Sequence, residues 1–322
     1  MNIEIITTQN EKLEESGFGT IETCNNILHS INSIGHSATL DICQTMQDLM
    51  DIVKRKPDLV ILAVKYIITE DGEIIWLSEF FLENGINFSG STRDTLVFGS
   101  DKVLAKAYLK EKGINTPRYF TAVPGEYKRD YDIPFNYPLF LKTINSENIN
   151  DIENSSFVNN FTEFEAKVSS LYSLHKSAVL VEEYLDGQEF SVSIIKAKGG
   201  DMLVSAIEVV APKVEKNRMN IYKEIEKDNI KKLIKIEDEV IKNRVKNLAI
   251  DAYIDLDIRD FGQIDINTNN SGHCFFMQAN LLPEMTNGIS RFTEAFTMDV
   301  GISYDEIIEL IVDEGISRAT SK

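Results

Sequence analysis

The first ninety residues alternate between short apolar runs and longer amphipathic segments. The pattern predicts strands and helices in turn, at residues 3–7, 20–36, 37–43, 45–56, 57–66, 77–85 and 86–90. The run at 57–66 is continuously apolar, which is typical of a buried parallel strand. Strands and helices in alternation with short connections predict a parallel sheet with right-handed crossovers. No glycine fingerprint for a dinucleotide follows the first strand, so a nicotinamide cofactor is not expected.

The middle of the chain has a different pattern. A helix is predicted at 100–113, with Gly113 as its stop, and a strand at 136–143. A second helix at 161–175 precedes two strands around the turn Asp186-Gly187. These elements predict a smaller α+β unit.

A third region contains strands near 189–212, a helix at 236–256, two strands at 261–266 and 274–280, and a final helix at 304–315. The fold class is therefore a mixture of α/β and α+β. We predict three domains: an N-terminal parallel-sheet domain at 1–95, a central unit at 96–182 and a C-terminal unit at 183–322.

Composition excludes several classes of protein. The 322 residues are 43% hydrophobic and 26% charged, as in an ordinary globular protein. The net charge of −18 argues against a nucleic-acid partner, and no apolar run is long enough for a membrane span. Three widely spaced cysteines and no visible signal peptide predict reduced thiols and a cytoplasmic location.

One local exception to the acidic charge is the segment Lys213–Lys246, the basic island, with eleven Lys or Arg against seven Asp or Glu. It is explained either as a solvated helix face or as a receptor for an anion such as a nucleotide phosphate.

Three oxygen-bearing side chains converge if the strands at 261–266 and 275–280 form a hairpin. Gln278 and Asn280 lie two apart on one strand and point to the same face, and Asp265 lies on the other strand. Such oxygens suit a hard cation, although hard cations usually recruit more than one carboxylate. The alternative is a polar, exposed hairpin face without a ligand.

Several charged residues follow the predicted strands and helices. Lys142 ends an apolar strand, and a buried lysine usually needs an anionic partner. Lys102 follows a helix cap and Glu182, Glu183 and Glu189 flank a turn, where solvated side chains are the simpler explanation.

Taken in order, these segments resemble the ATP-grasp superfamily, and within it the D-alanine–D-alanine ligase-like proteins. The resemblance covers most of the chain and is carried by the order and spacing of several segments together. They are FSGSTRDTLVFGSDKVLAKAYLKEKGINTPRYF, YPLFLKT, LVEEYLDGQEFSV, RDFGQIDI, QANLLPEMTNGIS and GISYDEIIELIV.

The resemblance implies a role for each candidate residue. Lys102 and Lys142 would contact ATP phosphates and the adenine side of the site, and Lys227 would lie near the phosphates. Adenine would be bound by the backbone of a hinge, which consists of Glu182, Glu183, Tyr184 and Leu185. Glu189 would bind the ribose. The magnesium ligands would be Asp265, Gln278 and Asn280.

The sequence also departs from the family's pattern. Gln278 stands where relatives usually have Glu, and Gln263 where they usually have Arg. Arg259, four residues earlier, need not replace that Arg, so both positions are kept as catalytic candidates. The loop after Lys142 lacks glycine, and Glu284 inserts a charge near the presumed acceptor site. Near the N-terminus only Glu22 remains as a candidate for the family's substrate signature.

The resemblance therefore implies a carboxylate–amine ligase that uses ATP and Mg²⁺, with Mn²⁺ as a substitute, and an acyl-phosphate intermediate. Its partners would be amino acids or dipeptides, with no nucleic acid or membrane and with a homodimer allowed. The alternative is an ATP-binding protein of the same fold that has lost efficient ligation.

Overall fold

The computed structural model describes residues 1–11, 13, 16–144, 156–197, 199–210 and 232–320. Lys227, most of the basic island and nearly all of the glycine-free loop after Lys142 lie outside these residues.

The N-terminal unit has the predicted parallel sheet. Strands β1 (Asn2–Thr7), β2 (Ser37–Ile42) and β3 (Leu59–Leu62) are ordered β2-β1-β3. Helices α1 (Ile21–Ser33) and α2 (Met46–Arg55) connect them. Thr20 and Thr45 cap these helices by accepting backbone N–H groups, which explains where each begins.

Two predicted strands of this unit are shorter in the structure. The run predicted at 57–66 pairs in the sheet only as far as Ala63, whose carbonyl accepts from the N–H of Phe18. The chain then turns into a hairpin of β4 (Tyr66–Ile68) and β5 (Ile74–Trp76), which was not predicted, and helix α3 (Leu77–Glu83) follows. The strand predicted at 86–90 forms only a single parallel bridge, between Phe88 and Val60.

The central unit is an antiparallel sheet with the order β6-β9-β7-β8. Its strands are β6 (Tyr119–Ala122), β7 (Leu139–Thr143), β8 (Ser156–Val158) and β9 (Val179–Glu183). Helices α4 (Arg93–Ser100) and α5 (Lys102–Glu111) precede it, and α6 (Phe161–His175) covers one face. Leu139, Leu141, Val179 and Val181 point into the core under α6, so the alternate residues of β7 and β9 face the other way.

In the described residues, the C-terminal unit forms a five-stranded antiparallel sheet with the order β12-β11-β10-β13-β14. Its strands are β10 (Glu189–Lys196), β11 (Met202–Val210), β12 (Lys232–Lys235), β13 (Phe261–Thr268) and β14 (Cys274–Asn280). Helix α7 (Glu239–Asp255) packs on one face, and α8 (Arg291–Ala295) and α9 (Tyr304–Thr320) follow the sheet.

Buried contacts join the units. Helix α5 packs into the core of the C-terminal sheet through Ala105 and Leu109, although it precedes the central sheet in the chain. On its opposite face, the same sheet packs Ile195 and Phe261 against the N-terminal unit. The domain boundaries at 95 and 182 stay a prediction.

A buried acid strengthens the contact with the N-terminal unit. Asp260 accepts the N–H of Gly90 at 2.7 Å and pairs with Arg318 of α9. Burial raises the pKa of Asp260, an effect that the arginines partly oppose.

In the part of the chain described here, no helix combines the length and the apolarity needed to cross a bilayer. Among the described residues, Cys24, Cys43 and Cys274 are buried and form no disulfide.

Candidate functional site

Two lysines and a glutamate form a buried group on the central sheet, the lysine–glutamate cluster of Lys106, Lys142 and Glu182. Glu182 lies on the face of β9 turned away from α6, and its side chain is fully buried. Lys106 Nζ lies 2.9 Å from Glu182 Oε1, and Lys142 Nζ lies 2.9 Å from Oε2. Lys106 also donates to the carbonyl of Phe276 on β14 at 3.2 Å. The cluster therefore connects the central sheet, helix α5 and the C-terminal sheet.

The charges in this cluster depend on each other. Burial alone would raise the pKa of Glu182, but Lys106 and Lys142 bring it below its ordinary value. Burial lowers the pKa of Lys106 to about 8, against the opposing effect of Glu182. A buried carboxylate with two ammonium groups leaves one excess positive charge. Lys142, which is 13% exposed, is the member through which that charge can reach a bound anion.

Lys102 is buried and lies beside the end of β7. Its Nζ donates to the carbonyl of Thr143 at 3.4 Å, and its N–H donates to that of Ile144 at 3.2 Å. The solvated position that the sequence pattern allowed is therefore wrong for Lys102, as it is for Glu182. Lys102 and Lys142 therefore both lie near the end of β7, where the chain enters the glycine-free loop.

The predicted hinge runs from the central sheet to the C-terminal sheet. Glu183 pairs with Arg118 at 2.7 Å, and Leu185 is buried. Tyr184 packs edge-on against Phe157, with 4.4 Å between the ring centroids. The backbone of Gly187 lies so close to Thr268 that a Cβ atom there would be 2.4 Å from its carbonyl oxygen. The end of the hinge is therefore held against β13, and a larger residue at 187 would displace it.

Glu189, the predicted ribose ligand, begins β10 directly after the hinge. Arg291 donates to its carboxylate at 3.2 Å, and both side chains are about one quarter exposed. The acid is therefore partly neutralised and still accessible.

The predicted metal ligands lie on the hairpin of β13 and β14, which forms as expected. Asp265 lies directly across from Gln278, and Gln263 lies directly across from Asn280. A bulge after Asp265 changes the register of the pairing. It lets Phe276 and Ala279 enter the core beneath α7 while Gln278 and Asn280 share the opposite face.

Strand β10 completes this face with serines. Ser191 is the cross-strand partner of Asp265, and Ser193 is the partner of Gln263. The face therefore carries two rows of three polar residues: Ser191, Asp265 and Gln278, then Ser193, Gln263 and Asn280.

Neutral donors surround Asp265. Its Oδ1 accepts from Ser191 Oγ at 3.1 Å and from Gln263 Nε2 at 3.0 Å, and its Oδ2 accepts from Gln278 Nε2 at 2.9 Å. The residue is only 8% exposed, and within the described ranges no Lys, Arg or His forms an ion pair with it. A buried carboxylate without a counter-charge favours a cationic ligand, so these residues fit a metal ion.

A metal ion bound by these residues would have few negatively charged protein ligands. No group of three or more His, Cys, Asp or Glu that could hold a metal occurs among the described residues, and Asp265 is the one carboxylate in these two rows of polar residues. Mg²⁺ is commonly held by one or two carboxylates together with substrate phosphates and water. Such a site would depend on a phosphate-bearing substrate for the rest of its negative charge.

The two catalytic candidates occupy different places. Gln263 lies beside Asp265, as described above, and its side chain is 7% exposed. Arg259 instead donates to the carbonyls of Gly90 and Phe88 and lies over the Phe88 ring. Burial lowers the pKa of Arg259 to about 10. Its guanidinium serves the contact with the N-terminal unit, and the structure gives it no contact with Asp265.

Lys106 and Ser191 are the residues of this site that the sequence pattern did not identify. Lys106 follows Lys102 by four residues on one helix, a spacing that places both on the same face and could have indicated a pair. Ser191 carries no comparable signal, because only the pairing of β10 with β13 brings it to Asp265.

Two lysines in the described part of the basic island form internal ion pairs. Lys242 and Lys246 of α7 contact the two oxygens of Asp299, at 2.5 and 2.7 Å. For these two lysines neither the solvated face nor the anion receptor of the sequence analysis is the main role.

Comparisons with known proteins show which family the chain is similar to. The family model described as D-ala D-ala ligase C-terminus matches residues 108–313, which include β7, the predicted hinge and both strands of the β13–β14 hairpin. The D-alanine–D-alanine ligase of Marinomonas sp. (strain MWYL1) is 26% identical over 302 residues, which cover 94% of this chain and 86% of the relative. The corresponding ligase of Aquifex aeolicus (strain VF5) is 25% identical over 300 residues, 91% and 94% of the two chains.

Among solved structures, the D-alanine–D-alanine ligase from Bacillus anthracis complexed with ATP aligns with a TM-score of 0.76. The alignment covers 100% of this chain and 99% of that chain at 20% identity. This likeness shows the fold.

Proposed function

The chain belongs to the D-alanine–D-alanine ligase family, and from that premise we propose that it is an ATP-dependent carboxylate–amine ligase of the ATP-grasp type. The observation that carries the proposal is the pairing of two sites on neighbouring sheets. A buried group with an excess positive charge lies on the central sheet, and a carboxylate without a counter-charge lies on the C-terminal sheet. A nucleoside triphosphate would supply the negative charge that the first group attracts, and its metal ion would supply the positive charge that the second attracts.

The nucleotide end uses the central sheet. Lys142 and Lys102 would bind phosphate oxygens, and the Lys106–Glu182 pair would hold Lys142 in place. The backbone of residues 182–185 would bind adenine, and Glu189 would accept hydrogen bonds from the ribose hydroxyls. Lys227 would also bind near the phosphates.

The metal end uses the β13–β14 hairpin. Asp265, Gln278 and Asn280 would hold Mg²⁺, with Mn²⁺ as a substitute, together with ATP oxygens. When bound, the ion would neutralise charge on the phosphate oxygens. Gln263 would act on this end through Asp265, to which it is hydrogen-bonded.

The reaction proposed for this site has two steps. A substrate carboxylate oxygen attacks the γ-phosphorus of ATP, which forms an acyl phosphate and releases ADP. The amine of a second substrate then attacks the acyl carbon, phosphate leaves, and the nitrogen loses a proton. The lysines would spread the negative charge of the phosphoryl group, and a closed site would keep water from the acyl phosphate. No side-chain nucleophile is needed.

The substrates proposed are small molecules, amino acids or dipeptides, since relatives are named for D-alanine. The alternative, an ATP-binding protein that has lost ligation, is not favoured by the relatives, which are named as ligases.

The test is release of ADP with Mg-ATP and pairs of D- and L-amino acids, for the natural chain, Gln278→Glu, and Gln278→Glu with Gln263→Arg. We expect turnover by the natural chain that requires both members of one pair. Turnover by the double variant alone would show that the natural chain is not a ligase. ATP binding without turnover in all three would favour the alternative.

A further inference from the structure

We propose that Ser191 is a positioning residue that fixes the carboxylate of Asp265 so that Oδ2 is the oxygen presented to the metal ion. This inference rests on the proposed function. It concerns a side chain that would contact neither the metal nor a substrate.

The two oxygens of Asp265 have unequal surroundings. Oδ1 accepts two hydrogen bonds, from Ser191 Oγ at 3.1 Å and from Gln263 Nε2 at 3.0 Å. Oδ2 accepts only one, from Gln278 Nε2 at 2.9 Å. A carboxylate oxygen has two lone pairs, so Oδ1 is saturated and Oδ2 has one free.

The position of Ser191 makes its hydrogen bond rigid. Ser191 and Asp265 are direct cross-strand partners in the middle of the C-terminal sheet, and the serine is fully buried. The terminal torsion of an aspartate is otherwise broad, so the carboxylate would rotate freely without such donors. Both donors on Oδ1 are neutral, which leaves the negative charge of Asp265 available to a cation.

Ser193 provides a matched control on the same strand. It is fully buried like Ser191, it points to the same face, and it lies across from Gln263. In the described part of the chain, its Oγ has no hydrogen-bond partner. Replacing either serine by alanine removes the same atom from the same strand, but only one replacement removes a hydrogen bond to Asp265.

The experiment is a titration with Mn²⁺, in the presence of a non-hydrolysable ATP analogue, of the full chain and of Ser191→Ala and Ser193→Ala. Bound Mn²⁺ is measured by electron paramagnetic resonance. We expect the dissociation constant for Mn²⁺ to rise on the order of tenfold in Ser191→Ala, as for other residues that orient metal ligands. We expect a change of less than about twofold in Ser193→Ala, because no bond to the ligand is lost. The affinity for the analogue without metal should stay unchanged in both variants.

Equal Mn²⁺ affinities in the two variants would overturn the inference, whatever their melting temperatures. Ser191→Cys keeps the shape and has only a weak donor, so its affinity should fall below that of the natural chain. An undiminished affinity would also contradict a hydrogen-bonding role, and this variant decides the question if Ser191→Ala does not fold. Absence of metal-dependent analogue binding in the natural chain would be a different result, because it would remove the proposed function as well.

Discussion

The two halves of the proposed site each contain a buried carboxylate, and they differ in the charge of the groups around it. In the lysine–glutamate cluster, a fully buried carboxylate faces two ammonium groups, each 2.9 Å away. On the β13–β14 hairpin, a nearly buried carboxylate faces only a hydroxyl and two amides. In the first half the buried carboxylate therefore has its counter-charge before any ligand binds, and in the second half it does not.

This contrast indicates that the hairpin, and not the cluster, depends on a ligand. Removing one partner from a buried charge group is costly to the fold, because it leaves an uncompensated charge. Removing a neutral donor from Asp265 changes the folded chain less and its affinity for a cation more. Replacement of Glu182, the buried carboxylate of the cluster, should thus act mainly on stability, and replacement of the donors to Asp265 mainly on metal binding.

Glu182→Gln should give the largest effect. The neutral amide leaves Lys106 and Lys142 together without an anion, so the free energy of unfolding should fall by about 3–5 kcal/mol. Urea unfolding of the variant measures this. Glu183→Gln is the matched control, since its partner Arg118 is mostly exposed, and it should cost about 1 kcal/mol or less. Similar losses in the two variants would contradict the special role of the cluster.

Lys142→Ala should act on nucleotide binding more than on folding. Lys106 still pairs with Glu182 in this variant, so the buried carboxylate keeps one cation. Loss of a charge-assisted bond to phosphate should weaken binding of an ATP analogue by roughly ten- to a hundredfold. Calorimetric titration measures this, with the exposed Lys110→Ala as a control for net charge. Unchanged affinity in a folded variant would mean that Lys142 serves only Glu182.

Gln278→Glu should turn the hairpin into a more charged site. The new carboxylate would lie directly across from Asp265, so repulsion should lower the melting temperature without metal. Mg²⁺ should then raise the melting temperature more than it does in the natural chain, with a metal affinity tighter on the order of tenfold. Gln47→Glu adds the same charge beside Asp51 on exposed α2, so it should lower the melting temperature less and should not increase the response to Mg²⁺. The idea fails if both variants respond equally to Mg²⁺.

The smallest expected effect is a pH dependence of the cluster. The pKa of Glu182 is lowered in the folded chain from an ordinary value of 4.5, because Lys106 and Lys142 outweigh the effect of burial. A depressed acid stabilises the fold fully above its unfolded pKa, and this stability is lost as the pH falls through the folded pKa. The stability difference between the natural chain and Glu182→Gln should therefore shrink as the pH falls below about 5.5, a unit above the ordinary pKa. A difference independent of pH down to pH 3 would exclude this linkage.

Much of the fold could be predicted from the sequence because the hydrophobic periodicity of each element is a local pattern. The alternation of strands and helices in the first ninety residues, the helix at Phe161–His175 and the β13–β14 hairpin follow from patterns within a few residues. The hairpin of β4 and β5 was missed because an apolar run reads the same whether it continues in a sheet or turns after Ala63. The contact between Phe18 and Ala63 that marks this end joins residues 45 positions apart.

The candidate site shows the same limit. Lys142 could be singled out because a lysine in an apolar strand needs an anion, but its partner Glu182 was not evident from the sequence. The partners of Glu182 come from α5 and β7, and those of Asp265 come from β10, β13 and β14. Such groups form only when the strand order brings them together.

If ATP activates a substrate carboxylate as an acyl phosphate, a carboxylate oxygen is transferred to the released phosphate. The natural chain is incubated with Mg-ATP and a mixture of D- and L-amino acids whose carboxylates carry ¹⁸O, and the released phosphate is analysed by mass spectrometry. We predict phosphate that contains one ¹⁸O atom, because the attacking carboxylate oxygen leaves with the phosphoryl group. Unlabelled phosphate formed together with ADP would mean that water, and not a carboxylate, attacks ATP, and it would contradict the account.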